Sequence, residues 1–329
     1  VGNDRWDLYV IDFRYHLVSL ASVLIALAVG IVLGAGPLNS GILESVNNEV
    51  KTLRADKADL RTQLDAVTNS VDLHQSFEAA RLPDLVAGKL EGRQVVVVAL
   101  PGAPAGLLST TEDTIAAAGA TITGRITIGD AATDATPTAV AARDAAAAQA
   151  TTDLAVPAGA VAGSALSSAI AAILLDKEAT TPPDAEAFVP TPQARAAAWT
   201  TLSDAKLVSG TMPATVASLA VVVSGPPAAL SDAASSAASA YAALTAALDA
   251  RGNGAILAAS LNSTDKETVS AVATSRSDAA MRRTVSTVDD AATTIGQASI
   301  VYALSEQVQG KTGQYGTYAG ATRAFPIGG

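Results

Sequence analysis

Cysteine is absent from this 329-residue chain, histidine and methionine occur twice each, and aromatic residues make up only 4 % of it. Without cysteine there is no disulfide framework, no thiolate metal centre and no cysteine nucleophile. Both histidines, His16 and His74, lie in the N-terminal quarter. A Ser-His-Asp triad or a histidine-ligated zinc is therefore excluded from everything that follows them. Positive charge is also scarce, with 21 Lys and Arg against 31 Asp and Glu and a net charge of -10. Such a chain repels nucleic acid phosphates, and no basic stripe interleaved with aromatics offsets that. Neither the GxGxxG nor the Walker A pattern occurs, which argues against dinucleotide and nucleotide binding.

One long apolar run is present. Leu17 to Gly36 (LVSLASVLIALAVGIVLGAG) carries no charge, and at 1.5 Å per residue it reaches about 30 Å, the thickness of a bilayer's hydrocarbon core. A cleaved signal has a shorter apolar region behind a net-positive start, whereas here Asp4, Asp7 and Asp12 outnumber Arg5 and Arg14. A transmembrane helix over 17–36 is the expectation. Arg5 and Arg14 precede it and Lys51 is the first basic residue after it, which places residues 1–16 in the cytoplasm and the bulk of a single-pass protein outside it. Trp6, Tyr9, Phe13 and Tyr15 suit the headgroup level, and His16 reads as an interfacial residue rather than a ligand. Ser22, Ala26, Gly30 and Gly34 recur every fourth residue and form one ridge on which a second span can pack closely.

Behind a Gly-Pro break the apolar positions step by three and four. With Leu43 at heptad position a, Val50, Lys57, Leu64 and Val71 fall at a, and Val46, Leu53, Leu60 and Val67 at d. Glu49 and Asp56 at g then oppose Arg54 and Arg61 at e of a parallel partner. These charges favour a parallel coiled-coil homodimer over 40–80 rather than a helix folded back on its own domain, with Lys57 fixing register. The heptads from Leu43 to His74 are roughly 50 Å long. His74 ends the seam.

Arg81-Leu82-Pro83 is expected to close the helix. Beyond it, β-branched runs alternate with alanine-rich stretches, the pattern of an α/β layer fold. Gln94–Leu100 (QVVVVAL) reads as a strand buried on both faces. Pro101-Gly102-Ala103-Pro104 turns the chain into a helix from about Leu107 to Ala118, followed by a strand at Thr121–Ile128. Ser218–Ser224, Gly225-Pro226-Pro227, a helix from Ser231 to about Ala250 and a strand at Ala255–Ser260 repeat that order. Two βαβ halves in one mostly parallel, Rossmann-like sheet spanning 85–309 are expected. Prolines in both turns remove N–H donors that a pyrophosphate would need. The Ala/Thr/Pro-rich middle, from Asp130 to about Pro190, reads as helices and loops with a linker at Thr180-Thr181-Pro182-Pro183. A helix from Ala291 to about Gln309 precedes a Gly/Tyr-rich tail, 310–329, that lacks a core of its own but can dock on the domain or a partner.

Catalytic patterns are few. Asp289-Asp290 is a carboxylate doublet, and directly before a helix it reads as a cap. Ser203-Asp204-Ala205-Lys206 matches SxxK and Lys311-Thr312-Gly313 matches KTG, two marks of serine acyl-transferases, but the third mark, SDN, is missing. No catalytic, cofactor-binding or metal-binding residue is assigned, and the chain is not expected to be an enzyme. Soft thioether ligands are limited to Met212 and Met281.

Arg14 to Gly36, the heptads, Val95 to Val98, the segment Ser286-Thr287-Val288-Asp289-Asp290 and the tail motif Gly313-Gln314-Tyr315-Gly316 together resemble the actinobacterial MctB, or mycobacterial copper transport, family. The likeness extends over most of the chain and is firmest at its two ends. It implies an envelope protein linked to copper efflux, with a channel role. The family also looks like the SteB proteins, which implies an envelope scaffold or regulator of cell-wall hydrolysis and cell separation with a cell-division partner. The residues themselves favour a dimeric scaffold.

Overall fold

The computed structural model describes residues 7–35, 37–156, 164–177, 188–261 and 267–326. The Thr180–Pro183 linker, Asp4, Arg5, Trp6 and Gly36 lie outside the described residues, as do the side chains of Tyr9 and Leu43. The chain divides into two compact units, Val1–His74 and Gln75–Gly329.

The first unit is helical. Helix α1 (Asp7–Ala35) contains a stretch, Phe13–Gly34, of 22 residues with mean hydropathy 2.7, long and apolar enough to cross a bilayer. It begins four residues before the expected Leu17. Helix α2 (Pro37–Val86) runs for 50 residues, out of the first unit and into the second. Between Val46 and Leu82 it holds neither glycine nor proline, so no residue interrupts the hydrogen-bond ladder. Pro83 does not close α2 as expected. It forfeits only its own N–H bond one turn from the end, Ala87 N–H still donates to its carbonyl at 3.1 Å, and Val86 is fully buried.

The second unit is an α/β domain. In chain order it comprises β1 (Gln94–Ala99), α3 (Ala105–Ala117), β2 (Thr121–Ile128), α4 (Pro137–Asp153), α5 (Ala165–Leu174), α6 (Pro192–Asp204) and β3 (Val208–Gly210). Then follow β4 (Leu219–Val223), β5 (Ala228–Ala229), α7 (Asp232–Arg251), β6 (Gly254–Ala258), β7 (Thr268–Val269), α8 (Ala271–Ser277), α9 (Met281–Thr284), β8 (Ser286–Val288), α10 (Thr294–Val308) and β9 (Gln314–Tyr315). Seven strands form one sheet in the order β3-β2-β1-β4-β6-β8-β9. Every pair in it is parallel except β2 with β3.

The two strand-helix-strand runs expected from the sequence both occur, and they leave the β1/β4 junction in opposite directions. Right-handed crossovers then send their helices to opposite faces. Accordingly Val95, Val97, Val221 and Ile256 pack in the core cluster that holds Leu107 and Ile300, from α3 and α10. Val96, Val98, Val222 and Leu257 pack in the cluster of Ile170, Leu202 and Leu248, from α5, α6 and α7. Burial on both faces explains why these strands read as unbroken apolar runs. Helix ends follow local chemistry: Ser231 caps α7 and Thr293 caps α10, each accepting a backbone N–H three residues on.

The C-terminal tail docks on the domain. Gln314 and Tyr315 pair with Thr287 and Val288 as the edge strand, and Tyr315 is buried. Asp249, half-buried near the end of α7, receives the Ala255 N–H at 3.1 Å, and burial raises its pKa to about 6. The folded state thus holds a proton that the unfolded chain releases near pH 4. Stability contributed by that proton is complete below pH 4 and is lost as pH rises through 6, a cost of about 3 kcal/mol at most. Asp249→Asn keeps the acceptor and removes the charge, so urea denaturation should show it stabilised at pH 7 and unchanged at pH 4.

Candidate functional site

The predicted interaction residues Val46, Val50, Leu53, Lys57, Leu60, Leu64, Val67 and Val71 all lie on α2, and all are exposed. Leu53 is 61 % and Leu60 64 % exposed. On α1, Ser22, Ala26, Gly30 and Gly34 are exposed as well. The Ser22 hydroxyl donates to the Val18 carbonyl at 2.8 Å, and a Cβ added at Gly30 or Gly34 would meet nothing within 4 Å.

Open parallel sheets bind ligands beyond the carboxyl ends of strands where the strand order reverses. Here that crevice lies between β1 and β4, and it is shut. A Cβ on Gly225 would stand 2.8 Å from the Gly102 carbonyl carbon, and Gly102 itself has φ +77°. The two proline-glycine turns press backbone to backbone where a cofactor would sit. A cavity of about 490 Å³ opens instead beside the end of β2, lined by Ile128, Thr133, Arg143, Ser167, Tyr241 and Leu244 among others. Its polar groups are spent internally: Arg143 donates to the Ala132 and Asp134 carbonyls at 3.3 Å. Tyr241 shares a 3.1 Å hydrogen bond with Thr133, and burial pushes its pKa up, away from any role as a base at neutral pH.

The SxxK and KTG matches do not converge. Ser203 and Lys206 precede β3 and Lys311–Gly313 precede β9, the two outer strands of the sheet. Six strand spacings separate those edges, about 29 Å. Thr312 donates to the Arg283 carbonyl at 2.7 Å and Gly313 N–H to the Ser286 hydroxyl at 3.2 Å, so the KTG residues anchor the tail.

Asp289-Asp290 is not a helix cap, since Thr293 fills that place. Asp289 is fully buried and pairs with Arg276 at 2.6 Å. Arg276, 4 % exposed, also donates to the Thr287 hydroxyl at 2.8 Å and the Tyr315 carbonyl at 2.7 Å. Asp289 accepts the N–H groups of Thr317 at 2.9 Å and Tyr318 at 3.1 Å. Gly316 takes φ +118°, and a Cβ there would collide with the Asp289 carboxylate. Burial lowers the Arg276 pKa, partly offset by Asp289, whereas burial and then the charge of Asp289 raise that of Asp290. Asp289 and Arg276 form a clasp on the tail, and the Asp290 carboxylate takes no part in it.

Among the described residues no three His, Asp or Glu groups assemble as metal ligands. Met212 follows β3 and Met281 opens α9 just before β8, five strand spacings or about 24 Å apart. They do not form a shared Cu(I) site. Sequence reasoning also missed a second groove of about 630 Å³, lined by Phe77, Arg81 and Leu85 of α2, Lys89, Ile295, Ser299 and Tyr302 of α10, and Phe325. Its three contributing segments are far apart in the chain and share no pattern.

A helix suited to a bilayer, followed by an α/β domain whose sheet is parallel but for one edge pair, defines a membrane-anchored α/β protein. The chain belongs to the family described as "Copper transport outer membrane protein, MctB", which matches residues 10–326. It is 32 % identical over 327 residues to the copper transporter MctB of Mycobacterium tuberculosis (strain H37Rv), covering 95 % of this chain and 98 % of that protein. The Mycobacterium bovis protein of the same name matches equally. That of Mycobacterium leprae is 30 % identical over 325 residues, with the same coverage.

Proposed function

We propose that the chain serves copper homeostasis of the cell envelope as a parallel homodimer, held in the membrane by α1 with its Rossmann-like domain outside the cytoplasm. Copper enters this reading from the names of the relatives. The mode of action comes from the exposed heptad stripe on α2, which is the observation that carries it. The matched charges of Glu49 with Arg54 and Asp56 with Arg61 give the pairing its parallel sense. The one span among the described residues encloses no pore by itself, and the two methionines stand apart, so in this reading the protein acts on copper as a tether and scaffold rather than as the conduit. A second reading rests on the same exposed stripe and on the resemblance to the SteB proteins: a non-catalytic scaffold for cell-wall hydrolysis and cell separation, working through a protein partner.

Because the chain has no cysteine, Val50→Cys and Leu64→Cys introduce unique thiols at a positions, while Thr62→Cys places one at f. In membranes under oxidation the first two should give disulfide-linked dimers and the third should not. An antiparallel or unpaired stalk would leave all three monomeric. Cells lacking the chain should accumulate copper; normal copper levels alongside an intact crosslink would select the second reading.

A further inference from the structure

The groove of about 630 Å³ lies wholly within the second unit, between the last turns of α2, the first turns of α10 and Phe325-Pro326. Its size falls in the range of small-molecule sites, and its walls have their mixture of apolar surface with a few polar groups. Phe77, Leu85, Ile295 and Phe325 stay between 44 % and 63 % exposed there.

Two cations stand in it. Arg81 lies over the Phe77 ring, 5.8 Å from its centroid, and Lys89 lies 5.1 Å from that of Tyr302. The ion pair of Arg81 with Asp84, at 3.3 Å, has both side chains exposed, and such pairs hold little energy. Glu78 is the one acidic residue among the lining residues. A net positive, aromatic-walled groove on a chain of net charge -10 is complementary to an anion.

Two further features point the same way. Ser299 lines the groove with its hydroxyl buried, and that oxygen meets no hydrogen-bond partner; an unpaired buried hydroxyl costs free energy that a ligand oxygen recovers. Thr294 and Ile295, also in the lining, begin the 15-residue α10. Thr293 caps the Gly296 N–H at 3.0 Å, whereas the first N–H groups of the helix have no intrahelical acceptor and favour a negative group.

We propose that this groove binds a long-chain carboxylate, its acyl chain lying on Phe77, Leu85, Ile295 and Phe325 and its head held by Arg81 and Lys89. A guanidinium fits a carboxylate in bidentate fashion. A second copy is a poorer occupant, because a symmetric contact sets each cation against its own duplicate. The assignment meets the 40–80 stalk only at Phe77 and Glu78, beyond His74 where the apolar seam ends, and takes no residue of the seam itself.

The test uses the full chain in nanodiscs of zwitterionic lipid, with cis-parinarate as fluorescent probe and empty discs subtracted. Saturable binding is expected, displaced by hexadecanoate at least tenfold better than by hexadecanol. Arg81→Gln with Lys89→Gln should weaken it about tenfold or more without altering the circular dichroism. Ser299→Ala should weaken it several-fold while the melting temperature holds or rises, which loss of a structural hydrogen bond would not produce. No saturable signal above empty discs, equal displacement by the acid and the alcohol, or indifference to the double substitution would overturn the assignment. Retained probe binding in a stalk variant that no longer dimerises keeps it distinct from the dimer.

Discussion

Arg276→Met should lower the melting temperature of the α/β domain by about 10 °C and release its C-terminal edge strand. The guanidinium is buried and serves the Asp289 carboxylate, the Thr287 hydroxyl and the Tyr315 carbonyl together. Its loss leaves Asp289, fully buried, without its cation. Breaking such a pair by removing one partner costs about 3–5 kcal/mol, and for a domain of this size each kcal/mol moves the midpoint by about 2–4 °C. The double variant Arg276→Met, Asp289→Leu removes both charges and should recover part of the loss, a coupling that thermal melts of the three variants would measure. Hydrogen exchange at Tyr315, Thr317 and Tyr318 should quicken in Arg276→Met before the core strands are affected. Equal exchange throughout would mean that the clasp does not hold the tail. Phe325 lies on the same tail, so the groove should lose its probe in this variant too.

The clasp shows what a linear reading could and could not reach. The strands at Gln94–Ala99 and Leu219–Val223 were legible because burial on both faces imposes consecutive apolar, β-branched residues, and Thr121–Ile128, largely unburied, was legible from its β-branched threonines and isoleucines alone. Helix α7 was legible from its serine cap and alanine run. Strands β3, β8 and β9 hold only two or three residues each, too few for any period to register, and they become strands because the sheet edge offers them partners. Asp289-Asp290 misled for a related reason. Adjacent carboxylates before a helix look like a cap, and nothing local reveals that Arg276, 13 residues earlier, and the tail, nearly 30 residues later, close around the first of them. The closed crevice was half legible: proline and glycine in both turns argued against a phosphate, but the contact between Gly102 and Gly225 needed the β1/β4 adjacency. The groove on α2 and α10 left no trace, since its residues come from three separate segments.

Leu60→Lys with Leu64→Lys should convert the chain from dimer to monomer, with the dissociation constant weakened by a factor of about 100 or more. These residues fall at adjacent d and a layers, midway along the exposed stripe. Burying one leucine is worth about 1.5–3 kcal/mol, each substitution acts in both copies, and every 1.4 kcal/mol is tenfold. Like charges facing across the seam add repulsion. Mass measurement in nanodiscs or detergent reads the change directly, while near-UV circular dichroism of the α/β domain should not move if the stripe serves only pairing. Lys57→Leu is the converse. A lysine at an a position lowers stability while specifying register and a two-stranded state, so its replacement should raise the melting point of the stalk and loosen the discrimination, seen as species above the dimer in mass measurement. If copper accumulates in cells carrying the Leu60, Leu64 variant as it does in cells lacking the chain, pairing itself is the activity that copper homeostasis needs. If the monomer restores normal copper, the α/β domain acts alone and the stripe belongs to another partner.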